Sequence, residues 1–282
     1  MIRVGVTGWA EHEALYAGGV AQKDRLRVYG RHFPIVEVDS AYYAILRPET
    51  YARWAAEVPA DFGFIVKAYS RLTGHDRSSE TVAERAELFR SYLASVEPLR
   101  RAGKLVALLF QYPPWFDCTR ENVNVLRATK ELLGDMPAAL EFRHRSWFTP
   151  DMADKTLAFM EREGWIHAVC DEPQAGEGSI PIVPQATHPE LTIVRFHGRN
   201  AAGWVDKGPN RRQVRCLYRY SEAELSEWAE RLAELQRQSR HVCLLFNNNS
   251  GGDAVPNARQ MMALLGLSYA GEAPGQLELF EL

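Results

Sequence analysis

Short apolar runs, many of them β-branched, recur along the chain, each five to seven residues long. Between them lie longer stretches with apolar positions every three or four residues. The short runs are Ile2–Thr7, Ile35–Asp39, Phe62–Lys67, Leu105–Gln111, Ala138–Phe142, Ile166–Asp171, Leu191–Phe196 and Val242–Asn247. Near-continuous apolar character of this length suits parallel strands covered on both faces. The longer stretches read as helices. Pro48–Glu57 has proline in its first turn and Tyr51, Trp54 and Ala55 on one face. Ser79–Val96 repeats Val82, Ala86, Phe89, Leu93 and Val96, and Asn122–Leu133, Pro150–Glu163, Ser221–Gln238 and Val255–Leu265 follow the same pattern. Ser221 and Glu224 have the spacing of a capping box, in which each side chain satisfies a free amide at the helix start. Strict alternation of strand and helix predicts an α/β fold, and eight strands in about 250 residues favour a closed (β/α)8 TIM-like barrel. The expected organisation is a single domain over residues 1–267 and a short tail over 268–282. The Gly- and Pro-rich stretch from Asp171 to Leu191 predicts that the sixth helix is short or missing.

Composition narrows this reading only modestly. The formal charge is −3, with 24% charged and 46% apolar residues, which excludes a wholly disordered chain and one that coats nucleic acid by overall charge. Cys118, Cys170, Cys216 and Cys243 are widely spaced and form no CxxC pair, which argues against a disulfide framework or a cysteine zinc site. The longest uninterrupted apolar run, Leu105–Phe110, is far below the ~20 residues that span a bilayer. With no apolar signal core after Met1, a cytoplasmic protein without membrane association is expected.

In such barrels the C-terminal strand ends and the loops after them form the active face. Polar residues gather at these positions: Trp9 after the first strand, Glu37, Asp39 and Tyr42 at the second, Lys67 and then His75 at the third, and Gln111 at the fourth. The fifth contributes Glu141, Arg143 and Trp147, the sixth Asp171, the seventh Arg195, His197 and Arg199, and the eighth Asn247 and Asn248. Residues two apart on a strand share a face, so Glu37 with Asp39, Glu141 with Arg143, and Arg195 with His197 point together. Buried charges of this kind must neutralise one another or meet a ligand.

Six ordered motifs resemble one family. They are Val4-Gly5-Val6-Thr7-Gly8-Trp9, Glu37-Val38-Asp39-Ser40-Ala41-Tyr42-Tyr43, Phe110-Gln111-Tyr112-Pro113-Pro114, Glu141-Phe142-Arg143-His144-Arg145-Ser146-Trp147, Arg195-Phe196-His197-Gly198-Arg199 and Phe246-Asn247-Asn248. Together they resemble the YecE-like family, domain of unknown function 72, over about Met1 to Gly266. The resemblance implies a TIM-like barrel with a pocket lined by these motifs and names no reaction. The chain departs from the family pattern at Asp39, where Asn is usual, and at Thr7, where Ser is usual.

Three functional expectations follow. In the first, the mouth binds a phosphate-containing or nucleic-acid ligand, as a phosphoester hydrolase in DNA maintenance would. Lys67, Arg143, Arg195 and Arg199 would hold phosphate, Glu37, Glu141 or Asp171 would serve as base or divalent-metal ligand, and His197 as acid/base. The stretch Arg195–Arg219 supports it with seven cations against one acid, Asp206, and with Trp204 and Tyr218 for stacking. The tail residues Gln276, Leu277, Leu279 and Phe280 resemble the short peptide by which bacterial DNA-processing proteins bind the sliding clamp. The second expectation is a non-catalytic DNA- or anion-binding module. The third is a carbohydrate or sugar-phosphate enzyme with Glu37 and Glu141 as paired carboxylates and Trp9, Tyr42 and Trp147 as stacking surfaces.

Overall fold

The computed structural model describes residues 1–16, 19–76, 80–206, 208–209 and 214–271. Gln276, Leu277, Leu279 and Phe280 of the tail, and Lys207, Arg211 and Arg212 of the basic stretch, lie outside the described residues. Eight parallel strands close into one barrel in sequence order. They are β1 (Ile2–Thr7), β2 (Ile35–Val38), β3 (Gly63–Lys67), β4 (Leu105–Gln111), β5 (Ala138–Glu141), β6 (Ile166–Asp171), β7 (Leu191–Phe196) and β8 (His241–Phe246). All eight predicted strands are present, with ends displaced by at most one residue.

The helices are α1 (Arg25–Tyr29), α2 (Pro48–Glu57), α3 (Val82–Arg101), α4 (Arg120–Leu133), α5 (Ala153–Glu163), α6 (Ala201–Val205), α7 (Glu222–Gln238) and α8 (Ala254–Leu264). The capping box at Ser221 and Glu224 forms as expected. Helix α3 runs past its predicted end, through Pro98 to Arg101, because Leu99 beyond the proline is fully buried. The sequence pattern missed α1 and α6, since five residues are too few to show a helical period. No helix follows β6, as the Gly- and Pro-rich stretch predicts. Among the described residues no helix is long and apolar enough to cross a membrane.

Alternation along each strand divides the protein into two apolar layers. One set of side chains, including Ile35, Ile65, Leu109, Ala139, Ile193 and Leu245, fills the barrel. The other set, including Val36, Val66, Leu140, Val169, Phe196 and Phe246, packs outward against the helices. Gly5 stands opposite Ile35 in the β1–β2 pair, and a Cβ there would stand 2.0 Å from the Ile35 carbonyl oxygen.

A polar seam outside the barrel joins β6 to α7. The fully buried Asp171 carboxylate accepts from Arg199 Nε at 2.9 Å and Nη2 at 2.6 Å, from Tyr220 OH at 3.2 Å, and from the Trp228 indole N–H. Arg199 reaches on to Glu224 at 3.1 Å.

Two stability predictions follow. Gly5→Ala should lower the unfolding free energy by about 3 kcal/mol, because β2 backbone cannot withdraw from the added methyl. A urea midpoint unchanged from the parent would contradict it. Asp171→Asn should also cost about 3 kcal/mol, since it leaves Arg199 with Glu224 as its one remaining acid among the described residues and presents an amide donor to other donors. Thermal and urea melts measure that loss, and ligand binding at the barrel mouth should survive it.

Candidate functional site

The inward residues at the C-terminal strand ends form a charge network. Glu37 and Arg195 meet across the barrel from β2 and β7, with Arg195 Nε and Nη2 donating to the two carboxylate oxygens at 2.8 and 2.5 Å. The remaining Arg195 nitrogen, Nη1, donates to Glu141 on β5. Arg143 Nη1 donates to Glu141 at 3.0 Å and lies 3.0 Å from Glu172, just past β6. None of these side chains is more than 4% exposed. Burial drives the Glu141 carboxyl upward, but Arg195, His197 and Arg143 outweigh it and hold it well below the ordinary range. Removing one member would leave its partner charged and buried, at a cost of about 3–5 kcal/mol.

His197 completes the network in neutral form. Asn247 Nδ2 donates to its Nδ1 at 2.9 Å, so the ring proton sits on Nε2, 3.3 Å from Glu141. Arg195 Nη1, 3.4 Å from that same nitrogen, faces it donor to donor and adds no bond. Burial, and then Arg195, push its pKa down to about 3. Both ring nitrogens are therefore engaged, which leaves none free to take up or release a substrate proton.

Glu172 is different. Burial raises its pKa to about 7 despite Arg143, and despite the hydrogen bond that its Oε1 accepts from Ile180 N at 2.7 Å. Its Oε2 has no donor in hydrogen-bonding geometry, although Arg143 is at ion-pair distance.

A second layer lies around the rim. Lys67 Nζ is 2.8 Å from Asp39 and 4.6 Å from the centre of the Tyr42 ring. Tyr42 meets His75 and Tyr43 edge to face, each at 5.1 Å, and His75 meets Trp115 at 6.1 Å. Tyr43 and Trp115 are 62% and 48% exposed, so this aromatic shelf faces solvent. Beside it a cavity of about 480 Å³ opens between the ends of β1, β2 and β8. Trp9 and Tyr43 supply its apolar walls, and Thr7, Asp39, Ser40, Asn247 and Asn249 its polar ones. Trp9 is itself braced by Trp54, with ring centres 4.8 Å apart. Among the described residues, the buried Thr7 Oγ1 and Asn249 Oδ1 have no hydrogen-bond partner.

The structure thus brings together Glu37, Glu141, Arg143, Arg195, His197 and Asn247, and surrounds them with Trp9, Tyr42, Lys67 and His75. Gln111 stands in register with Glu141, half-buried at the end of β4. Four expected site residues lie elsewhere. Asp171 and Arg199 belong to the outer seam, because Asp171 has the opposite strand parity to Cys170 and Glu172. Trp147 is buried behind β5, stacked on Phe142 at 4.1 Å and donating to the Phe116 carbonyl at 2.7 Å. Asn248 faces away from the mouth and donates to Tyr218 O and Asn257 Oδ1, each at 2.9 Å.

The basic stretch is not one surface among the described residues. Arg195 is inside the barrel, Arg199 in the seam, Arg219 3.5 Å from Asp253, and Arg215 over the Trp204 ring. Tyr218, expected to stack, donates its hydroxyl to Glu224 instead.

The sequence reading left Cys170, Glu172, Trp204, Arg215 and the Thr7–Asn249 pair out of the site. Strand alternation could have found Cys170 and Glu172; Arg215 and Trp204 are marked only as part of the basic stretch Arg195–Arg219 and as a stacking ring, not as mouth residues. Glu141, Cys170 and His197 bring potential metal donors within 4.8 Å of one another. They do not fit a divalent ion, because the Arg195 guanidinium already occupies the space beside Glu141 and His197.

Residues 3–278 match the family model described as "Protein of unknown function DUF72". The chain is 51% identical to UPF0759 protein YunF of Bacillus subtilis (strain 168), over 99% of this chain and 100% of that protein. It is 26% identical to UPF0759 protein YecE of Escherichia coli (strain K12), over 56% of this chain and 54% of that one. The crystal structure of a DUF72 family protein from Enterococcus faecalis V583 superposes with a TM-score of 0.91 at 38% identity, covering 99% of this chain and 100% of that one. A DUF72 family protein from Thermotoga maritima MSB8 gives 0.81 at 29% identity, covering 94% and 99%. With the barrel and its mouth in place, these matches establish that the chain belongs to the DUF72 family, whose curated members here carry the name UPF0759.

Proposed function

We propose that the protein binds a small polyhydroxylated ligand, of the sugar or sugar-phosphate class, at the C-terminal mouth of the barrel. The observation that carries this reading is the cavity between β1, β2 and β8. Its volume of about 480 Å³ is in the range of small-molecule sites. Aromatic walls beside convergent carboxylate, hydroxyl and amide groups suit a ring with apolar faces and a hydroxylated edge. The partnerless Thr7 and Asn249 oxygens are acceptors that a ligand hydroxyl would satisfy.

Two other readings are less well supported. A phosphate clamp built from Arg143, Arg195 and Arg199 would compete with the carboxylates that already pair with all three. A glycosidase pair of Glu37 and Glu141 would need carboxylates free of Arg195. Proton exchange near neutral pH falls instead to Glu172, which faces Arg143 and Glu141, with Arg215 nearby.

In thermal-shift and calorimetric titrations, pentoses, hexoses or their phosphates should raise the melting temperature, and short oligonucleotides should not. Thr7→Val should weaken the best sugar ligand about tenfold, the equivalent of one lost hydrogen bond, with little effect on folding. Salt-dependent oligonucleotide binding without any response to sugars would overturn the reading.

The titration of Glu172 has its own check. In the folded chain this carboxyl holds its proton up to about pH 7, whereas the unfolded chain releases it near 4.5. The folded state therefore binds more protons between those values, and this group's contribution to stability falls as pH rises from about 4.5 to 7. Glu172→Gln, which can still accept from Ile180 N, should remove that decline and be the more stable form at pH 8. Parallel stability–pH curves for the two proteins would refute the assignment.

A further inference from the structure

We infer that the ligand of this mouth carries an oxyanion, a phosphate or a carboxylate, and that Arg215 receives it; this rests on, and deepens, the sugar reading above. The other cations around the mouth are matched by acids: Arg195 by Glu37 and Glu141, Arg143 by Glu141 and Glu172, and Lys67 by Asp39. Among the described residues Arg215 has no carboxylate at ion-pair distance. Its guanidinium carbon stands 4.0 Å from the centre of the Trp204 ring, and the same ring faces Arg143 at 4.6 Å. Two guanidinium groups thus share one indole, and among the described residues only Arg143 has an acid at ion-pair distance.

A half-buried cation beside a second cation is unfavourable, and Glu172 and Glu141 offset it only from beyond ion-pair distance. Burial first, and then Arg143, lower the Arg215 pKa to about 10, which still leaves it charged at neutral pH. The indole offers part of the compensation through its ring face and holds the planar fork in place. Among the described residues no acceptor meets its N–H edge, and arginine forks match phosphate and carboxylate oxygens two at a time.

Arg215 does not line the cavity itself, and Asn247 is the residue that connects the two. Cys216, the next residue, has its Sγ 3.9 Å from Asn247 Nδ2, and Asn247 lines the cavity. A ring held against Trp9 and Tyr43 would place its hydroxyls near Thr7 and Asn249 and direct an acidic substituent toward Arg215.

The test is isothermal titration of the full chain with ribose, ribose 5-phosphate, glucose, glucose 6-phosphate, glucuronate and inorganic phosphate. At least one acidic sugar should bind about tenfold or more tighter than its neutral parent, consistent with a charge-assisted pair. The phosphate and glucuronate arms decide which oxyanion is preferred. Arg215→Met should abolish the preference, leave the neutral sugar's affinity unchanged, and melt no lower than the parent without ligand. Arg215→Lys keeps the charge, should retain part of the preference, and serves if the Met variant does not fold. Equal affinity for neutral and acidic sugars, or a preference that survives Arg215→Met, overturns this inference while leaving the sugar reading intact. Arg215-dependent binding of inorganic phosphate without any sugar response upholds the anion subsite and overturns the sugar reading. Silence from every probe overturns both.

Discussion

Arg195 holds the top of this barrel together. It projects from β7 into a space walled by apolar side chains and meets Glu37 and Glu141 from strands on other sides of the ring. A charge so placed is tolerable only because it is fully paired, and the pairing fixes three strands at one height. The remaining polar groups build outward from it. Arg143 shares Glu141, Glu172 shares Arg143, and His197 is held neutral between Glu141 and Asn247. The network resembles a binding site in composition but behaves as a saturated plug, with most of its hydrogen-bonding capacity used internally.

That saturation relocates the functional question. Chemistry at the mouth must use groups that the plug leaves over. Three kinds remain: the polar and aromatic walls of the cavity beside β1 and β8, the Glu172 carboxyl that burial brings near neutrality, and Arg215, which among the described residues has no acid at ion-pair distance. They lie around the plug, which would serve them as a rigid floor. A site whose supporting charges are locked in place can orient a ligand without reorganising.

Strand parity explains much of what the sequence showed and concealed. Glu37, Glu141, Arg143 and Arg195 were legible because pairs two residues apart share a face, and because a barrel interior has no ordinary use for charge. Asp171 was misleading for the same reason. As the last residue of an apolar run it looks like a mouth residue, yet it is one step out of phase with Cys170 and points to Trp228 and Arg199 behind the sheet. Asn247 and Asn248 repeat the lesson, one facing His197 and the other Asn257. The basic stretch after β7 shows a different limit. Net charge along a segment says nothing about direction, and the fold sends its described arginines to separate surroundings.

The chain alone determined the barrel, the order and near-exact bounds of its strands, the missing helix after β6 and the family, because these depend on local periodicity and on short motifs in fixed order. Tertiary structure decided which charges cancel, which hydroxyl and amide oxygens go without partners, and which arginine is left over. Those outcomes depend on distances between residues as far apart as Glu37 and Arg195, or Thr7 and Asn249, and closing the barrel is what sets such distances.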